Sequence, residues 1–387
     1  MSLSQIIAVV IFLTMFGVIV SGKVDRFIPA IIGAILTIGV VFLGIMQSTD
    51  AVVNVLSLGQ LGQQWFWLPG AHSVETTGGI NWQTIIFIGG MMIMVEGMGE
   101  VGFFRWLCLL VAKWVNYKVV LILITFMLLS GFLSMFIDSI TVLLFLATVT
   151  IELARMLKFD PVPLIIAEIF AANVGGSATM CGDPPNIIIG TALGYTFTDF
   201  ALNTGVIAWV GMAVALIIFY FAFRKALVTS NGDSLMAASR YPGPSEAIVN
   251  KKAFLVQTCI FLLVVVLLVT HAQTGISVAS IGCIAAFLSV ITAPSKALGI
   301  IKRVDWRTLV FFIGLFICVG GLEQTHVLKM LAEYIGDVSG GNLVVVIPII
   351  LWVSAFASAI VDNIPFAATM VPVITNLSQI HGLSLPN

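Results

Sequence analysis

Four carboxylates stand inside long apolar stretches, where a charge is costly. Asp138 lies in Ile137-Asp138-Ser139-Ile140-Thr141, and Glu168 in Ile166-Ala167-Glu168-Ile169. Asp183 lies near the end of Asn173-Val174-Gly175-Gly176-Ser177-Ala178-Thr179-Met180-Cys181-Gly182-Asp183-Pro184-Pro185-Asn186, and Asp362 lies in Val361-Asp362-Asn363-Ile364-Pro365. No Lys or Arg falls deep in any of these stretches. A buried carboxylate without a counter-charge takes up a proton or a cation. Proton or sodium binding at Asp138, Asp183 and Asp362 is therefore the economical chemistry, and a site of Arg forks for a polyanion is disfavoured.

The Asn173–Asn186 stretch is expected to break a helix, because adjacent glycines unwind it and two prolines prevent its continuation. Freed carbonyls and the Ser177 and Thr179 hydroxyls could ligate a cation, and the following half-helix could hold an anionic oxygen at its N-terminus. A phosphate-binding loop is the rival motif, but no Gly-Lys-Ser/Thr follows. Glu96 also lies in an apolar run, as a weaker candidate than Glu168. The cysteines and the four histidines are scattered without ligand spacing, so no metal site and no cofactor are indicated.

These groups must be positioned by membrane helices. The chain is 387 residues long, 60% hydrophobic and only 9% charged, with a mean hydropathy of +1.14. A soluble chain is roughly a quarter charged, so a soluble enzyme, a disordered protein and a nucleic-acid binder are excluded. Apolar runs cover about 5–20, 27–46, 82–98, 119–137, 140–157, 161–174, 187–200, 204–223, 253–271, 276–293, 306–324, 343–361 and 366–379. Several fall short of the ~20 residues a spanning helix needs. The first run lacks a basic flank and a cleavage site, so a retained helix is expected rather than a signal peptide. The aromatic residues Trp65, Trp67 and Trp82 suit interfacial anchors.

Basic residues near span ends mark the inner side. Lys23 and Arg26 then put the first loop inside and the N-terminus outside. The loop 47–81, without Lys or Arg, lies outside, and the path continued in this way leaves only Lys329 of the basic residues outside.

An internal repeat is visible at an offset of 224. Residues 81–107 read NWQTIIFIGGMMIMVEGMGEVGFFRWL and residues 305–331 read DWRTLVFFIGLFICVGGLEQTHVLKML. The pairs include Trp82 with Trp306, Gly90 with Gly314, Gly97 with Gly321, Ser130 with Ser354 and Asp138 with Asp362. On the orientation map the two copies run in opposite directions, and inverted repeats are a signature of secondary transporters. The expected fold is an all-α polytopic membrane protein with about 9–11 spans, helical hairpins turning at Asp138 and Asp362, and a broken helix. Its parts are N-terminal spans and an outer loop (1–80), a first repeat (81–223), a cytoplasmic linker (224–252), further spans (253–304) and a second repeat (305–387). At the first repeat's spacing of 37 residues from Asp138 to Gly175, the second break falls near position 399, twelve residues past Asn387, so the second repeat reads as incomplete.

The hairpin turns, the Ala167-Glu168 context and the Gly-Gly…Gly-Asp-Pro-Pro-Asn stretch resemble the ion transporter superfamily. The likeness is to its ArsB/NhaD permeases and melanosomal P-protein group, with citrate and dicarboxylate carriers as more distant relatives. It covers nearly the whole chain. It implies re-entrant hairpins, a homodimer in the inner membrane with an elevator-like moving domain, and a substrate and ion site at the hairpin tips and helix break. The candidate site residues are Asp138, Ser139, Thr141, Glu168, Asn173, Gly175, Gly176, Ser177, Thr179, Asp183, Asn186, Asp362 and Asn363.

The expected function is secondary active transport coupled to H⁺ or Na⁺. Na⁺/H⁺ exchange, arsenite or antimonite efflux, and citrate or dicarboxylate uptake are the classes the resemblance implies. A channel would show no coupling. A membrane aspartyl protease using Asp138 and Asp183 lacks its Gly-x-Gly-Asp context, so no enzyme is expected. The orientation is tested with single cysteines in a cysteine-free background. Asp50→Cys is expected to react with an impermeant maleimide on intact cells, and Lys23→Cys only after permeabilisation.

Overall fold

The computed structural model describes residues 1–68, 78–224, 243–339, 343–360 and 363–381. Asp362, Glu75 and most of the 224–252 linker lie outside the described residues. In chain order the helices are α1 Leu3–Ser21; α2 Phe27–Leu36, continued by a π-helix at Thr37–Ile45; α3 Thr49–Leu56; α4 Gln64–Trp67; α5 Trp82–Glu100; and α6 Phe103–Trp114. Then come α7 Val119–Ser134, α8 Ser139–Leu157, α9 Val162–Gly176, α10 Pro184–Leu193, α11 Phe197–Leu202 and α12 Thr204–Phe223. The rest are α13 Lys251–Thr274, α14 Val278–Ile291, α15 Ala297–Arg303, α16 Trp306–Gln324, α17 Val327–Ser339, α18 Leu343–Ile360 and α19 Asn363–His381. Among the described residues seven helices are long and apolar enough to cross a membrane, and four apolar helices are shorter. The protein is an all-α polytopic membrane protein.

Which face of each helix is buried follows from side-chain size. On α12 the buried residues are Gly205, Ala208, Met212 and Ala215, spaced three or four apart. The larger Val206, Ile207, Val210, Val214 and Ile218 are exposed. In lipid there is little hydrophobic drive between helices, so small residues that admit close approach face the neighbour and bulky ones face the acyl chains. On α16 the pattern differs, since almost every residue from Phe311 to Leu322 is buried, which marks it as a central helix.

The chain divides into two compact units. One comprises 87–187 and 195–304, the other 1–86, 188–194 and 305–387. In the first unit α9 packs on α7, α8 and α12, and α13 packs on α14. In the second α16 packs on α1 and α2, and α17 packs on α18 and α19.

The 224-residue offset recurs in the helices themselves. Helices α5, α6, α7 and α8 start at 82, 103, 119 and 139; α16, α17, α18 and α19 start at 306, 327, 343 and 363. Helices α6 and α17 fall between the apolar runs of the sequence, and their buried stripes coincide. Phe104, Cys108 and Ala112 are buried in α6, and Leu328, Ala332 and Gly336 at the equivalent positions in α17. The caps match as well. Asn81 Oδ1 accepts from Thr84 N at 2.9 Å and Asp305 Oδ1 from Thr308 N at 3.2 Å, each satisfying an orphan donor of the first turn.

The correspondence extends further back than the sequence alignment. A Cβ on Gly90 would lie 2.1 Å from the Gly282 carbonyl oxygen of α14, and one on Gly314 would lie 2.7 Å from the Ala30 carbonyl of α2. The equivalent glycines therefore seat equivalent helices, α14 and α2. Ala30 to Gly282 is 252 positions, 28 more than the main offset, and the extra residues fall between α2 and α5, where α3 and α4 lie. The likeness between the two halves thus takes in α2 and α14.

Two local expectations are corrected. Gly175 and Gly176 remain helical, and the helix ends at Gly176 rather than unwinding at the glycines. Their small size serves contact, since a Cβ on Gly175 would lie 2.0 Å from the Gly131 carbonyl oxygen of α7. The run 187–200 is two helices, because Gly194 takes a left-handed φ of +75° and Thr196 opens α11 with a capping box to Asp199. Gly175→Ala and Gly90→Ala are expected to lower thermal stability in detergent by about 1–3 kcal/mol through overpacking. Gly211→Ala, whose new methyl meets nothing within 4 Å, should be neutral or stabilising by up to ~1 kcal/mol.

Candidate functional site

The first unit brings together the turn of the α7–α8 hairpin and the break between α9 and α10. Both exist for local reasons. Asp138 is the N-cap of α8, with Oδ2 accepting from Thr141 N at 3.1 Å and from Thr141 Oγ1 at 3.2 Å. Asp183 immediately precedes α10, its main-chain oxygen accepting from Asn186 N at 3.1 Å. Pro184 follows as the first helical residue, where its missing N–H costs nothing. Each aspartate thus stands at a helix N-terminus, where the peptide dipoles favour negative charge.

Ser139 ties the two together, its Oγ donating to Asp183 Oδ1 at 2.9 Å. Thr179 Oγ1 donates to the Met135 carbonyl of the hairpin turn. Gly182 lets the chain pass between two carbonyls, since a Cβ there would lie 2.4 Å from both Gly176 O and Ser134 O. Inside the break, Asn186 Nδ2 donates to Gly176 O at 3.2 Å and Thr179 O at 2.8 Å. This side chain satisfies carbonyls that the interrupted helix leaves open, as a low-dielectric setting requires.

A cavity of ≈ 20 Å³ adjoins the hairpin turn and the break, with Asp138, Thr141, Cys181 and Pro184 in its wall and Met91 and Phe136 among its apolar lining. That is room for about one water-sized guest. Carboxylate, hydroxyl and carbonyl oxygens are its polar neighbours, and no basic side chain lines it. Such oxygens are acceptors that suit a small hard cation or a proton.

The other candidates are placed as follows. Glu168 is fully buried on α9, away from the cavity wall, with Thr150 Oγ1 donating to its Oε1 at 2.5 Å. Asn173 and Ser177 lie on the exposed side of α9, and Ser177 Oγ donates to Val174 O at 2.8 Å. Asn363, exposed at the start of α19, accepts from Ser358 Oγ within its own unit. Asp362 lies outside the described residues.

Sequence reasoning did not pick out Gly131, Gly182, Met91 or Thr150. Gly131 and Gly182 are lone glycines whose need is set by a carbonyl far away in sequence. Thr150 carries a signal only in retrospect, as a hydroxyl in the apolar helix next to the one that bears Glu168.

The comparisons with known proteins agree with this architecture. The chain is 30% identical over 373 residues to a Mycobacterium leprae protein described as a 46 kDa membrane protein, covering 96% of this chain and 81% of that one. It is 31% identical over 379 residues to an uncharacterized transporter of Mycobacterium tuberculosis, again covering 96% of this chain and 81% of the relative. It is 27% identical over 398 residues to the human P protein, covering 81% of this chain and 46% of that longer protein. A family model described as citrate transporter, CitMHS, matches residues 12–386. With helices built to span a bilayer and a family match over nearly its whole length, this chain belongs to the CitMHS citrate transporter family, a family of membrane transporters.

Proposed function

We propose that the protein is a secondary active transporter whose coupling cation, Na⁺ or H⁺, is bound at the Asp138–Ser139–Asp183 cluster. The observation that carries this reading is the Ser139 link between the hairpin turn and Asp183, which puts two aspartates at helix N-termini close together beside a water-sized cavity that Asp138 lines and no basic residue does. A cation there would be held by carboxylate and hydroxyl oxygens, with the surrounding carbonyls as further acceptors. An acid at membrane depth marks an ion pathway by default.

The lengths of the elements favour re-entrant geometry. Helix α7 has 16 residues and α9 has 15. At ~1.5 Å per residue they reach about 24 and 22 Å, short of the ~30 Å hydrocarbon core. A hairpin turn and a helix break that stop inside the bilayer would bring their oxygens near mid-depth, where transporter sites lie. The inverted orientation of the two repeats, the inner membrane location, the outside N-terminus and a homodimeric assembly are parts of the same reading, supported by the basic-residue map and the resemblance.

Two cargoes follow from this site. Cation/proton exchange fits its acidity and size. Citrate or a related carboxylate fits the family's description, with the cation site supplying the coupling ion and the anion held elsewhere by helix N-termini. Arsenite is a third cargo, carried by the resemblance alone.

The test is the full chain in proteoliposomes with an internal pH dye. Imposed Na⁺, citrate and arsenite gradients are applied in turn, with radiolabelled citrate uptake in parallel. At least one gradient should drive pH change or uptake. Asp138→Asn and Asp183→Asn should each lower that rate by about tenfold or more, the loss of one charge-assisted contact. Ser139→Ala should lower it less. Wild-type flux that survives both aspartate substitutions removes the cluster from the mechanism.

A further inference from the structure

We infer that Glu168 is a proton-binding site separate from the cavity, a carboxylic acid enclosed by α8 and α9 whose proton is coupled to transport in addition to the cation at the Asp138–Ser139–Asp183 cluster. The first part stands on geometry alone; the coupling role rests on the transporter reading above.

Glu168 has no exposed surface. Its Oε1 accepts from Thr150 Oγ1 of α8, a side chain that is itself fully buried. Its Oε2 is buried and has no hydrogen-bond partner. The nearby hydroxyl of Ser130 on α7 is directed elsewhere, donating to the Glu168 main-chain carbonyl at 3.0 Å. A carboxylate in this pocket would have one hydrogen bond and an open oxygen in a low-dielectric interior. An isolated charge is far more costly there than a neutral acid. A proton on Oε2 removes the charge and leaves the Thr150 bond intact.

Among the described residues no neighbouring charge relieves the site. Helix α7 carries no titratable residue between Val119 and Ser134. On α8, Glu152 is paired with Arg105 at 2.6 Å, Arg155 is exposed, and Asp138 is held at the opposite end by Thr141. Helix α12 offers only the partly buried Tyr220. The buried thiol of Cys108 on α6 is within electrostatic reach and is neutral company. Proton binding is therefore the one available way to neutralise Glu168 with the groups present around it.

The position also gives the proton a mechanical route to the cavity. Glu168 and the start of the break share one helix: α9 ends at Gly176, eight residues on, or about 12 Å along the axis. If the proton leaves, the charge must reach water or a cation, and α9 must shift against α8. The break at its end moves with it. Proton release and rearrangement of the Asp183 region are then one event.

Infrared spectroscopy of the full chain in lipid nanodiscs tests the proton directly and needs no transport substrate. Wild type at neutral pH should show a protonated carboxylic C=O stretch that Glu168→Gln lacks. Thr150→Val, which keeps the acid but removes its donor, should move that band to higher wavenumber. Identical spectra for wild type and Glu168→Gln overturn the site, and this result is independent of any flux. Coupling is tested in proteoliposomes with Na⁺ alone and citrate alone. Glu168→Gln should lose the pH response to whichever gradient moves protons in wild type, by about tenfold or more, the factor of one lost charge-bearing contact. An infrared band together with unchanged proton movement in Glu168→Gln overturns the coupling role and leaves a structural acid.

Discussion

Backbone polar groups in lipid must find partners within the protein, and the architecture around residues 177–183 follows from that constraint. Interrupting a helix between Gly176 and Pro184 frees carbonyls that water cannot reach. The chain answers with Asn186, which reaches back to Gly176 O and Thr179 O, and with Thr179, which joins the break to the hairpin turn. Ser139 joins the turn to Asp183. The close glycine contacts at Gly131, Gly175 and Gly182 let these partners come within reach. The oxygens left over face a space of ≈ 20 Å³. The repaired helix break and part of the cavity wall are here the same structure.

Three acids of this unit illustrate how environment divides carboxylates. Asp138 and Asp183 are partly exposed and sit at helix N-termini, and Asp138 borders the cavity. Glu168 is sealed between helices with a single donor. Similar carboxylates of one chain thus stand in different surroundings, one beside a cavity and the other closed in by side chains. Asp138 both caps α8 through Oδ2 and lines the cavity.

Much of this was legible in the sequence, and the exceptions have physical causes. The long helices announced themselves because lipid-facing segments are apolar on every side, as α1 and α12 are. The break was legible because Pro184-Pro185 cannot continue a helix. Helices α6 and α17 were not, since only one face of each is buried and an apolar run never forms; the four-residue spacing of Phe104, Cys108 and Ala112, repeated 224 residues later, was the signal to find them. The role of Gly175 was misread because an unwound glycine and a packed one look alike until the Gly131 carbonyl is seen beside it. The full extent of the repeat was hidden by a change of offset, which only the seating of Gly90 on α14 and Gly314 on α2 exposes.

That change of offset bears on energetics. Two copies of a motif with opposite orientations would, if identical, make an inward-open and an outward-open molecule mirror each other in free energy. Here one copy carries 28 residues between its second and central helices that the other lacks, counted from Ala30 and Gly282 against Trp82 and Trp306. They fold into α3 and α4, and Trp82 Nε1 donates to Leu56 O at 2.9 Å to fasten α3 to the start of the central helix. Exchanging the conformations of the two copies therefore does not regenerate the same molecule. The two copies are unequal by the stretch that holds α3 and α4.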